Sequence, residues 1–151
     1  MPASVAVTPQ SMLCFNLYAA SHAFTRFYQP ILEPMGLTYP QYLVLLFLWE
    51  RPEARVTDIC SALGLDTGTL SPLLKRLEAL GLITRTRDVA DERLVIVGLT
   101  RTGRRMRERA ADVTLDLCEA VGMSIDDAAA LVNQLRVLDE NLKRSTRDAR
   151  P

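Results

Sequence analysis

The chain has 151 residues, of which 48% are hydrophobic and 6% aromatic, and its formal net charge is zero. The length fits one domain with an oligomerisation element, and the apolar content excludes intrinsic disorder for the bulk of the chain. The lone His22 excludes a site that needs two imidazoles, and three cysteines without a Cys-x-x-Cys pair leave neither a zinc ribbon nor a disulfide scaffold, so no metal and no cofactor is expected.

The first periodic segment runs from about Ser11 to Leu32. Leu13, Leu17, Ala20, Phe24, Phe27 and Ile31 step by three and four, which predicts an amphipathic helix. Ser11 or Thr8 suits its N-cap, with Pro9 fit for a first helical position, and Pro34 and Gly36 end it. Thr38 and Gln41 read as a capping box for a second helix to about Trp49. That helix is apolar on nearly every side and should be buried. Arg51-Pro52-Glu53 is a break.

A short helix fits Thr57 to Leu63, and Asp66 or Thr67 caps another that ends at Leu80-Gly81. Only Gly64-Leu65-Asp66 separates them, and two helices joined by a tight glycine turn mark a helix-turn-helix. The period then changes to alternation over residues 82–87 and 94–97, around a polar tip at 88–93, which predicts a β-hairpin. Residues 66–105 carry eight basic against five acidic side chains, so a basic middle sits between acidic flanks. Helix pair and hairpin together read as a winged helix-turn-helix with a polyanion footprint; a solvated hairpin is the plainer reading of the charges.

Thr100 caps a long helix through Met106, Ala110, Val113 and Leu117 to Gly122. Ser124 caps the last one, with a stripe at Ile125, Ala129, Val132, Leu135, Leu138 and Leu142 and a tail from Arg144 that should fray. The fold class is mainly α with a small β-hairpin wing. The expected organisation is a single domain over 1–151, with the winged helix-turn-helix at about 53–100. Residues 8–35 and 101–147 supply dimerisation helices, because their leucine stripes need a partner and a second copy offers one. No apolar run approaches the ~18–20 residues needed to span a membrane, and the first thirteen residues lack the pattern of a secretory signal. A cytoplasmic, reducing setting with free thiols is the expectation.

With these elements in place, the chain resembles the MarR family of bacterial regulators. The order helix, helix, winged helix-turn-helix, two helices matches along nearly its whole length. Residues 91–100, DERLVIVGLT, are similar to the family's D-x-R…LT wing motif. More narrowly, LCFNLYAAS at 13–21, GLTYPQYLV at 36–44 and LDTGTLSPLLKRLE at 65–78 resemble the organic-hydroperoxide-sensing repressors, usually called OhrR. The resemblance implies a homodimeric, non-enzymatic repressor that holds a palindromic double-stranded operator and leaves it when an organic hydroperoxide acts as inducer.

Cys14 is the candidate redox sensor. With Ser11 as N-cap it takes the third helical position, where the helix dipole and free amides favour a thiolate. By composition alone, a cysteine on an apolar helix reads as packing; the motif around Cys14 reverses that. The resemblance implies that Tyr28 and Tyr39 hydrogen-bond the thiolate, though both rings could simply be core, and Tyr18, one turn from Cys14, competes for that role. Tyr42 is a further pocket wall. The resemblance also implies that Cys118 is the resolving thiol of the other subunit, with a core cysteine and a small-thiol mixed disulfide as the alternatives. Cys60 reads as packing, as do Phe15, Phe24 and Phe27. His22 stands where relatives often carry arginine. For DNA, the exposed side of the second helix of the pair offers Thr67, Gly68, Thr69, Ser71 and Pro72 to base edges and Lys75 and Arg76 to phosphates. Arg93 at the wing suits a narrow minor groove with Asp91 orienting it, and Arg85 and Arg87 suit the backbone. Two rival readings remain: a regulator of the same family released by a small phenolic ligand, and a thiol peroxidase turning over at Cys14, for which no base is evident.

Overall fold

A computed structural model describes residues 8–148, with the side chains of residues 114–116 and 118 outside that description. A short 3-10 turn at Pro9–Ser11 leads into α1 (Leu13–Leu32), and a second one, Glu33–Met35, closes it at Gly36, whose φ of 71° is left-handed. Thr8 and Ser11 form a capping box over the first turn, so the N-cap of α1 itself is Met12 and not Ser11. The reason is that Pro9 starts a turn of its own, which is spent before α1 begins.

The second helix, α2 (Tyr39–Glu50), begins at the expected box, with the Thr38 N–H donating to Gln41 Oε1 at 3.0 Å. It is buried as its composition demands: Val44, Leu45 and Leu48 are fully enclosed. The expected break after it contains a strand, β1 (Glu53–Arg55). Three residues are too few to show alternation, so periodicity could not reveal it. Then come α3 (Val56–Leu63), ended by Gly64 at φ 64°, and α4 (Thr67–Ala79). The hairpin is β2 (Ile83–Arg87) and β3 (Val95–Leu99), paired from Ile83↔Leu99 to Arg87↔Val95. The sheet is antiparallel in the order β1-β3-β2, which makes β3 central and explains why Val97 and Leu99 are its buried residues. Leu70, Leu74 and Leu77 of α4 join the same core with Ile59 of α3.

After Thr100, α5 (Arg101–Val121) begins, and α6 (Ile125–Asp148) follows Gly122. Chain contacts divide into one compact unit through Glu108 and another from Arg109. At the top of the first unit, the Thr100 hydroxyl donates to Gly81 O at 2.7 Å and accepts from the Gly103 N–H at 3.0 Å. Trp49 Nε1 donates to Gly103 O at 2.9 Å in a buried bond. Gly103 tolerates this closeness only because it lacks a Cβ, which would strike Leu82 O. In the second unit, the expected Ser124 cap is present, its Oγ accepting from the Asp127 N–H at 3.1 Å. The α6 helix runs to Asp148 without the fraying expected from Arg144; Lys143–Asp139 and a Thr146 hydroxyl on Leu142 O tie its last turns.

Two readings of α1 are corrected. Phe15 and Phe24 are exposed and not core, and only Phe27 is half-buried. Along α1, apolar spacing gives a stripe but not what covers it. The same holds for α6, in which no described residue is buried and Ile125, Val132 and Leu142 are more than half exposed. No single described helix is long and apolar enough to cross a membrane.

Candidate nucleic-acid interface and sensing cysteine

The face of α4 is built from its N-cap. Asp66 Oδ1 accepts from the Thr69 N–H at 2.6 Å, and that bond holds the Asp66 carboxyl below the usual carboxylate range. The leucines of the helix turn inward, which leaves Thr67, Gly68, Thr69, Ser71, Pro72, Lys75 and Arg76 all exposed along one continuous side. Ser71 Oγ donates to Thr67 O at 2.7 Å, so its lone pairs remain for an outside donor. Every residue assigned to this side by sequence spacing is on it.

One ion pair ties the wing to that helix. Arg85 on β2 donates through Nε and Nη2 to Glu78 Oε2 on α4, at 3.0 and 2.7 Å, and holds the Glu78 carboxyl below its ordinary value. Arg85, read from sequence as a backbone contact, is therefore engaged between helix and wing. Residues seven apart across a helix-to-strand turn show no periodicity; the opposite charges were the only available signal. At the tip, Asp91 Oδ1 accepts from the Arg93 backbone N–H at 3.0 Å, so Asp91 fixes the main chain of Arg93. Arg87 Nη1 donates to Glu92 O at 3.2 Å. Arg87 and Arg93 are both exposed.

Cys14 is exposed and sits at the second position of α1, one earlier than expected because Met12 is the cap. The free amides of a first helical turn still surround it. Asn16 Nδ2 seals the start of the helix by donating to Met12 O at 2.8 Å and Gln10 O at 2.9 Å. Tyr18, one turn on, is 63% exposed and meets His22 edge-on at 4.3 Å.

Tyr28 and Tyr39 come together at the other end of α1. Their rings stack at 4.7 Å and 16°, and Tyr42 closes on Tyr28 at 5.5 Å and on Trp49 at 6.0 Å. Burial pushes the Tyr39 hydroxyl up, so it keeps its proton and remains a donor. Tyr42 is itself a core ring, 2% exposed. Fourteen residues of one helix separate Cys14 from Tyr28, about 21 Å at the rise of an α-helix. The tyrosine pair therefore does not meet the Cys14 of its own chain. Cys60 is half-buried on α3, and the side chain of Cys118, on α5, lies outside the described residues. Among the described residues no cluster of His, Cys, Asp or Glu could hold a metal ion.

Comparison with known proteins agrees with this architecture. The family model described as transcriptional regulator SarA/Rot matches residues 26–109. The HTH-type transcriptional regulator TtmR of Methylorubrum extorquens (strain PA1) is 47% identical over 137 residues, 89% of this chain and 70% of that protein. The organic hydroperoxide resistance transcriptional regulator of Bacillus subtilis (strain 168) is 43% identical over 133 residues, 88% of this chain and 90% of the relative. Among solved structures, AbfR of Staphylococcus epidermidis is 34% identical with a TM-score of 0.75, over 89% of this chain and 91% of that one. AbfR has been solved bound to DNA in both reduced and overoxidised forms, and also in a disulfide form. With its wing, its recognition helix and these relatives, the chain belongs to the MarR family of winged-helix transcriptional regulators, as an OhrR-like member.

Proposed function

We propose that this regulator is a homodimeric repressor that holds a palindromic operator and releases it when an organic hydroperoxide oxidises Cys14. The observation that carries the reading is the position of Cys14: exposed, in the first turn of α1, on a helix whose far end holds the stacked Tyr28–Tyr39 pair. Because that pair is about 21 Å away within one chain, its hydroxyls serve a thiolate supplied by a second copy. The site is then completed only in a dimer. This fits the uncovered apolar stripes of α1 and α6.

In the proposed chemistry the Cys14 thiolate attacks the terminal peroxide oxygen. A Cys–SOH forms, the O–O bond breaks and the alkoxide leaves, taking a proton to become the alcohol. The partner's Cys118 thiol then displaces hydroxide from the sulfenic sulfur, giving a disulfide and water. AbfR was solved on DNA even when overoxidised. That supports a mechanism in which the cross-link, rather than added oxygen, releases the operator. A coupled peroxidase assay separates this reading from catalytic turnover, because a sensor reacts once per thiol. DNA is held by the exposed side of α4 in the major groove and by Arg93 in the minor groove, with Lys75, Arg76 and Arg87 on phosphates.

The test is a DNA shift assay with upstream DNA, with and without cumene hydroperoxide. Wild type is expected to bind and then release, and Cys14→Ser to bind and stay. Release of Cys14→Ser by the peroxide would remove Cys14 from the sensing role. A second reading, release by a small phenolic ligand, has one observation in its favour: an open groove of about 410 Å³ lined by Gln29, Leu37, Tyr39 and Arg76. It expects Cys14→Ser to respond fully to such a ligand.

A further inference from the structure

Val89 at the wing tip is 102% exposed, as open to solvent as a side chain can be. The loop that presents it is well held. Asp88 Oδ1 accepts from the Ala90 and Asp91 N–H groups at 2.7 and 3.3 Å, and Asp91 Oδ1 from the Arg93 N–H at 3.0 Å. At its base, the Asp88 N–H donates to Leu94 O at 2.9 Å. Two aspartates thus fix the turn with their side chains, which is ordinary turn chemistry. A β-branched residue between them is not: Val favours strands and gives a turn nothing. Its isopropyl group stabilises nothing in the fold, so its whole apolar surface remains available for burial against a partner.

The surroundings select the partner. A protein or membrane contact calls for a contiguous apolar patch, and along the tip Val89 and Ala90 are followed by Asp91, Glu92 and Arg93 and preceded by Arg87 and Asp88. Arg87, two residues before Val89, and Arg93, four after it, are both exposed on the same hairpin tip, while Asp88 and Asp91 each spend an oxygen on backbone amides. A guanidinium beside a single aliphatic wedge is the equipment of a minor-groove reader.

Resting on the DNA-binding reading above, we propose that Val89 is a specificity-determining wedge of the wing. It enters the minor groove beside Arg93 and packs against the sugar walls at a flexible pyrimidine–purine step, which opens at low cost and is selected for that reason. The wing thereby reads deformability at a flanking position where no hydrogen bond to a base is made.

The experiment begins with the wild-type protein selecting duplexes from a random pool, followed by titration of the selected duplex. Val89→Ser is expected to weaken binding about fivefold to twentyfold, the size of a partly buried aliphatic contact. Its salt slope should stay unchanged because no phosphate contact is lost. Val89→Ile should bind like wild type. Replacing the flanking TA step with GG should weaken wild type and leave Val89→Ser nearly indifferent. Equal affinity of Val89→Ser and wild type overturns the proposal and leaves Val89 to a protein partner. A uniform loss across all flanking steps, or a reduced salt slope, overturns it too. If wild type selects no duplex, the DNA-binding reading fails first and takes this inference with it, which separates the two failures.

Discussion

Arg93 and Val89 share one loop but differ in what they lose on truncation. Arg93→Ala should weaken operator binding by ~1–3 kcal/mol and lower the salt slope by about one. The fold should be untouched, because the guanidinium is exposed and Asp91 holds the main chain and not the charge. Unchanged affinity in an anisotropy titration would mean that the wing stays off the DNA. At the sensing end, Tyr39→Phe keeps the stacked ring and removes the donor. Slower sulfenic acid formation at Cys14, read by trapping the oxidised thiol, is expected with DNA affinity unaltered. An unchanged rate would leave Tyr39 as core only.

Between elements, the close approach at Gly103 and the ion pair at Glu78 decide how the wing is mounted. Gly103→Ala puts a methyl group against Leu82 O, a backbone atom between α4 and β2, and disturbs the carbonyl that Trp49 holds. A loss of about 1–3 kcal/mol is expected in urea unfolding, as for other overpacked sites. Full stability would mean that α5 shifts freely. Asp66 and Glu78 both have carboxyls held below their ordinary values, Asp66 by the Thr69 backbone N–H and Glu78 by its hydrogen bond from Arg85. A group with a depressed folded-state value adds stability above the ordinary carboxylate range and loses it as pH falls through the folded value. Asp66→Asn and Glu78→Gln should therefore lose that increment at neutral pH, differ little from wild type below the folded-state values, and so flatten the acid limb of a stability–pH curve. Asp66 is exposed and Glu78 half-buried, so the effect should shrink in high salt. An acid limb as steep as that of wild type would show that neither bond matters to folding.

For the whole molecule, dimerisation and cross-linking are linked. The α6 stripe at Val132, Leu135 and Leu142 is exposed, and so is much of the apolar side of α1. Sedimentation should give a dimer, and Leu135→Glu with Leu142→Glu should shift it to monomer; a dimer that persists would place the interface elsewhere. After hydroperoxide, a non-reducing gel should show a band of dimer mass that vanishes on reduction and in Cys118→Ser. If Cys118→Ser still cross-links, another thiol resolves Cys14. A disulfide needs Cα atoms within roughly 7 Å, so any larger starting separation across the dimer must be closed by movement of a helix. That movement is the proposed route from oxidation to respaced recognition helices.

Local chemistry carried much of this outcome by itself. The capping box at Thr38, the Asp66 cap, the Thr100 and Ser124 caps, and the glycine ends of the helices are decided within a few residues, so the sequence determined where most helices start and stop. The buried α2 and the exposed side of α4 followed from apolar spacing in the same way. Tertiary structure alone decided what depends on distant partners. Strand β1 exists because β3 offers it an edge to pair with. Arg85 turns to Glu78 because the hairpin folds back beside α4. The tyrosine pair lies most of a helix away from Cys14 because α1 is continuous between them, a distance that makes the second subunit part of the proposed site. Periodicity states that a face is apolar, but only packing states what covers it, which is why Phe15 and Phe24 read as core and stand in solvent in the single chain.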